Sequence, residues 1–238
     1  MRRHFAAVLG LTAALLVATA ALAAGTTTQT VSGSVTPSNL PDQNRAGVTL
    51  RLSETTGTTD PSGVQPPTAS AKVFLDKDIL ITSNGLPKCK ASQIVGKSTE
   101  EARHNCRTSM VGTGSAVARI SNGIGGHVDI PAVVSVFNGR DNRGPLMILH
   151  VVIGQSDTDV VLLIKHQAGA YGTKLSTPPG EPQPIRKISL TLHRTFTFHG
   201  ERRDYISARC SHGKLLYKGS FTYTEGPPKT ATDTQTCH

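Results

Sequence analysis

Apolar residues along this chain recur at every second position, in short runs broken by Gly, Pro, Asn and Asp. Val48, Leu50 and Leu52 alternate, as do Val128, Ile130, Ala132, Val134 and Val136; Leu215, Tyr217, Phe221 and Tyr223 share one face. A period of two places side chains on one side of a β-strand. Two runs are almost continuously apolar, Leu146 to Ile153 and Val160 to Ile164. Strands without a polar side are covered on both faces, so these two are expected at the centre of the fold. Ile185 to His199 reads as the longest strand, with Ile188, Leu190, Leu192, Phe196 and Phe198 inward and Arg194 interrupting that face. The interruption calls for a bulge or a buried partner.

Thr30 to Val35 reads as a short edge strand, and Ser53 to Ser70 and Gly169 to Pro184 read as proline-rich loops. Ser211-His212-Gly213 reads as a hairpin loop joining Tyr205–Cys210 to Leu215–Thr224. About ten short strands without alternating helices indicate a mainly β fold, an antiparallel β-sandwich of Ig-like or jelly-roll-like type. It occupies residues 24–238 as a single domain.

The exception is an insertion at about residues 87–112. Ser98 followed by Glu101 forms a capping box, and Ala102, Cys106 and Met110 recur along one side of a helix. Ala91, Ile94 and Val95 suggest a preceding helical turn ended at Gly96, so the insertion is expected to be a small helical hairpin. Antiparallel packing of its arms places Cys89 opposite Cys106. A bridge there closes a 17-residue loop (106 minus 89). Cys210 and Cys237 are then paired, pinning a tail that has no core residue of its own.

Arg2 and Arg3, the apolar run from Phe5 to Ala21, and Ala21-Leu22-Ala23 describe a signal peptide over residues 1–23. No later run reaches the roughly 20 apolar residues of a spanning helix. The expected location is the cell envelope or the outside, where four cysteines favour two disulfides over a zinc site. The formal charge of +9 falls to +7 once Arg2 and Arg3 are removed, because they are the leader's only charged side chains apart from histidine. A basic surface favours anionic partners in a general way.

The pattern LPKC at Leu86–Cys89, Cys106 in a short helix followed by VGTG at Val111–Gly114, and RDYISARC, GKLLYKGSFTY and TQTC at the C-terminal end resembles a group of exported disulfide-containing β proteins of high-GC soil bacteria. The resemblance implies the compartment, the β fold and the disulfides. It implies no activity.

No residues are assigned to catalysis, metal or cofactor. Ser211-His212-Gly213-Lys214 matches S-x-x-K, but that chemistry needs the serine at a helix N-terminus, and the motif lies in a turn. Gly112-Thr113-Gly114 lacks the strand-then-helix context of a phosphate loop and reads as a connection. Asp76 and Asp78 read as turn residues rather than calcium ligands. His193 and His199 are about 20 Å apart on a regular strand. His150 and His166 fall on neighbouring strands of unknown register. His127 and Asp129, two apart, could share an ion. The expected function is therefore an exported non-catalytic module with a binding or structural role; the alternative is a secreted hydrolase whose loop-built site uses His127 and Asp129. Lys187, Arg194, Arg202 and Arg203 form a candidate anion-binding area, joined by Arg209, Lys214 and Lys218. Its expected partner is an anionic surface polymer. Nucleic acid is disfavoured, since no exposed aromatic series is there to stack bases.

Overall fold

The computed structural model describes residues 26–59, 63, 65–121, 126–178, 180 and 184–238; the predicted leader lies outside them. The described chain forms β1 (Thr27–Thr36), β2 (Ala46–Gly47), β3 (Thr49–Thr58), β4 (Thr68–Asp76), β5 (Ile79–Ile81), α1 (Thr99–Asn105), β6 (Met110–Ser121), β7 (His127–Asp141), β8 (Gly144–Ile153), β9 (Ser156–His166), β10 (Tyr171–Ser176), β11 (Ile185–Leu192), β12 (Thr195–Phe198), β13 (Glu201–Asp204), β14 (Ile206–Ala208), β15 (Lys214–Tyr223) and β16 (Lys229–Thr236). The fold is mainly β and antiparallel, and both disulfides, Cys89–Cys106 and Cys210–Cys237, are formed. No helix among the described residues is long and apolar enough to cross a membrane.

The two facing sheets of a sandwich are not what the strands build. Eleven of them run in one sheet, in the order β1-β3-β11-β6-β7-β8-β9-β10-β4-β15-β16. That sheet curls until its ends meet. Where β1 faces β16 there is no backbone ladder; side chains of β16 take its place. The Gly33 amide donates to Asp233 (2.9 Å), the Val35 amide to Gln235 Oε1 (2.6 Å), and Gln235 Nε2 to the Val35 carbonyl (2.9 Å). An unpaired edge is thereby satisfied by a substitute for an eleventh row of ladder bonds. Gly33 is required at this seam, since a Cβ on it would lie 2.1 Å from the buried Tyr217 ring.

Alternation decides what points into the barrel. Val35, Leu50, Leu52, Leu75, Val134, Val136, Met147, Leu149, Val151, Leu190 and Tyr217 form one core. The three-stranded sheet β2-β14-β5 continues that core past the end of the barrel where β4 stops, through Ile79, Ile81 and Ile206. β8 is buried on both faces, as its apolar run requires. Met147, Leu149 and Val151 face the lumen, while Leu146 and Ile148 pack with Cys89, Ile94, Ala102, Cys106 and Phe137 under the insertion. The insertion is one seven-residue α-helix flanked by 3-10 turns at Ala91–Gln93 and Arg107–Ser109, so the first arm of the expected hairpin is a single turn. Ser98 and Glu101 do form the capping box.

Several strand limits differ from the sequence reading. Ile185–His199 is two strands: β11 stays in the large sheet, and β12 leaves it to pair with β13. The break falls at His193-Arg194, where Arg194 Nε is buried without a hydrogen-bond partner. The longest described strand is β7, whose Pro131 pairs with β6 but lies outside the β7–β8 ladder. β14 and β15 are not hairpin partners, because β14 joins the small sheet. The presumed loops conceal the end of β3, the start of β4 and all of β10, and the tail supplies β16. These segments are rich in Thr, Ser and Lys, and only their neighbours in the sheet supply the apolar contacts. Gly112 and Gly114 stand inside β6, where a Cβ would meet the Thr191 and Ser189 carbonyls at 2.4 and 2.2 Å.

Candidate functional site

At the end of the barrel opposite the small sheet, the lumen is not filled. A cavity of about 220 Å3 lies between the β3–β11 side and the β9–β10–β4 side, lined chiefly by Leu52, Val160, Leu162, Leu175, Ile188 and Leu190. Two carboxylates line it, Asp159, which is 2.8 Å from His150, and Glu54. Glu54 follows Leu50 and Leu52 on the inward face of β3 and lines the cavity.

Around Glu54 is a closed set of polar groups. Gln29 Nε2 donates to Glu54 Oε1 (3.1 Å), and Gln29 Oε1 accepts from Thr56 Oγ1 (2.8 Å) and from the Tyr223 hydroxyl (2.6 Å). These bonds orient the Gln29 amide so that its N–H group faces the carboxylate. Burial pushes the Glu54 carboxyl from 4.5 up to about 7; the bonds to Gln29 and Thr56 oppose that shift without cancelling it. Burial, with the Glu54 charge beside it, lifts the Tyr223 phenol to about 12. A neutral carboxyl at the edge of an apolar cavity can both donate and accept a hydrogen bond. The described lining residues are mostly apolar, and no histidine is among them.

Glu54 is the residue the sequence reading missed. Ending the first firm strand at Leu52 leaves Glu54 in a loop; extending the same alternation by one step turns it inward. The cavity itself leaves no local signal, since residues from seven strands line it.

The expected site residues are dispersed. Lys187 is on β11 in the large sheet, and Arg194 is at the break between sheets. Arg202 and Arg203 are on the separate β12–β13 hairpin, where Arg203 pairs with Glu201 (3.0 Å) and lies over the Phe198 ring. Arg209 is taken by Asp78, whose carboxylate also accepts from the Ser211 amide (3.0 Å) and hydroxyl. Burial acts to raise the Asp78 carboxyl, but the Ser211 and Arg209 bonds outweigh it and hold it below the usual range. The S-x-x-K serine thus anchors a turn. Lys214 and Lys218 lie on β15, which is remote from β11 in the strand order.

Asp129 is held between Arg119 (2.7 Å) and Arg186, and the Arg119 bonds keep its carboxyl below the usual range. The carboxylate expected to share an ion with His127 is thus engaged by two guanidinium groups. His166 stands seven residues along β9 from Asp159, the partner of His150. Among the described residues, one group has metal-ligand spacing: His150, Asp157 and Asp159. His150 Nδ1 is 2.8 Å from Asp159, while its Nε2 meets the Lys97 carbonyl (2.9 Å) and the Gly96 amide donates to Asp157 (2.9 Å). Burial raises the Asp159 carboxyl. Each of these contacts beyond the triad goes to the Gly96-Lys97 turn, so the group latches the insertion onto β8 and β9.

The fold and cavity define an antiparallel β protein with a nearly closed sheet around an apolar pocket. No protein-family model, curated protein or solved structure matches the chain.

Proposed function

We propose that this chain is an exported, non-catalytic binding module that takes a small apolar ligand into the open end of its barrel. The observation that carries this reading is the apolar cavity of about 220 Å3 with Glu54 at its edge. An apolar cavity of about 150 Å3 in a protein core holds benzene, so this one suits a ring with a short chain, or an alkyl chain. A hydroxyl or amine on the ligand would bond to Glu54, fixing its orientation. The two disulfides and the leader-like N-terminus support export. The hydrolase alternative is disfavoured because the Asp129 carboxylate is already shared by two guanidinium groups.

Methyl-labelled protein titrated with 1-octanol and with octylamine tests this. Shifts are expected at the Leu52, Leu162, Ile188 and Leu190 methyls, and Val160→Trp, which fills the cavity, should abolish them while the remaining spectrum persists. Octylamine should bind more tightly above pH 7, where Glu54 is charged, and octanol should not. An absence of cavity shifts with both probes, or shifts that survive Val160→Trp, would exclude the pocket.

A further inference from the structure

The residues of the cationic area expected near β11–β13 fall on separate elements, whereas strand register lines up a different set of lysines. Lys165 on β9 pairs with Lys174 on β10; Lys174 pairs with Phe74 on β4; Phe74 pairs with Lys218 on β15; Lys218 pairs with Thr232 on β16. Each of these residues alternates with lumen-facing neighbours (Ile164, Leu175, Leu75 and Tyr217), so all five project from the outer wall. Adjacent strands lie about 4.8 Å apart, which gives a line of three lysines about 14 Å long across the barrel. Lys72 stands two residues from Phe74, and Lys214 four residues from Lys218 on the same face.

The outward positions of β15 and β16 beside this line carry no acidic residue. Outward positions of β15 are Lys214, Leu216, Lys218, Ser220 and Thr222, and those of β16 are four threonines. Asp76, at the end of β4, is buried and accepts from the Asp78 and Leu216 amides. Among the described residues every ion pair uses Arg or His, and none of these lysines has a carboxylate partner. Apolar rings are interleaved with the charges: Lys218 Nζ lies 5.6 Å from the Phe74 centroid, and Tyr171 packs beside Phe74 at 6.0 Å.

We infer that this wall is a docking surface for an extended acidic polysaccharide. Unpaired charges in a row match a ligand whose negative groups repeat along a chain, and Phe74 and Tyr171 offer flat apolar area to sugar rings between them. Two neighbouring rings packed on each other do not form the spaced series that single-stranded nucleic acid stacks upon. The inference is independent of the pocket, which opens at the barrel's end.

Polygalacturonate binding by the whole protein, followed by fluorescence anisotropy of the labelled polymer, tests it. The wild type should bind at low salt and weaken about tenfold or more between 50 and 300 mM NaCl, since exposed charges are screened within about 8 Å at physiological ionic strength. K165S/K174S/K218S should lose about tenfold in affinity at 50 mM salt. K88S/K187S/K229S removes the same net charge elsewhere and should stay within about twofold. Thermal unfolding of both triple variants confirms that they are folded. Equal losses in the two variants would reduce the effect to net charge and overturn the assignment. So would absence of wild-type binding at low salt, or single-stranded DNA binding as tightly and being lost with the same three lysines.

Discussion

Replacing Glu54 by Gln should remove a pH dependence of stability and raise stability at neutral pH. The Glu54 carboxyl titrates near 7 in the folded chain and near 4.5 when unfolded. The folded protein therefore holds an extra proton between those values, and stability falls as pH rises through that window. The contribution is intact below pH 4.5 and is fully lost above about pH 7. A displacement of that size corresponds to about 3 kcal/mol, an upper figure because Glu54 is only half-buried. Gln is nearly isosteric, keeps an acceptor for Gln29 Nε2, and cannot ionise. At pH 8 the variant should be more stable by up to about 3 kcal/mol, or about 6–12 °C in Tm for a chain of this size. At pH 4.5 the two proteins should unfold together. Thermal and urea unfolding at pH 4.5, 5.5, 6.5 and 8 would measure this, and the difference between the two proteins cancels titration of the histidines and of Asp159. If that difference is constant across the series, Glu54 is solvated and the polar cluster at the pocket's edge has been misread.

Two further substitutions probe the seam and the insertion. Gly33→Ala should cost about 2 kcal/mol or more, because its Cβ would enter the space of the buried Tyr217 ring. Gly57→Ala on the neighbouring strand meets only the Thr28 hydroxyl at 2.6 Å, which can rotate, and should cost less than about 1 kcal/mol. Urea unfolding of the pair decides this, and equal costs would refute closure of the barrel at Gly33. Cys89→Ala combined with Cys106→Ala should cost about 3 kcal/mol, with amide exchange speeding first in Thr99–Asn105 while β8 stays protected on its lumen side. Uniform exchange throughout would show that the insertion is part of the barrel's cooperative unit.

The linear pattern was enough to establish the β class, the capped helix and the cysteine pairing. Those properties are local or nearly so: alternation acts between residues two apart, a capping box spans four, and the short Cys89–Cys106 loop joins adjacent elements. The doubly apolar β8 even implied a second covering layer, which the insertion supplies through Ile94 and Ala102. What the pattern did not contain was which strands are neighbours. Closure depends on Asp233 and Gln235 reaching β1 from 200 residues away in sequence. Polar strands such as β10 and β16 become strands only because a partner offers a ladder and a buried face. The pocket and the lysine row have the same origin. Leu52 and Leu162 line one cavity, and Lys165 and Lys218 join one row, only after the sheet has curled and set its register. A period of two tells a residue which side it is on; only the tertiary structure decides what it stands beside.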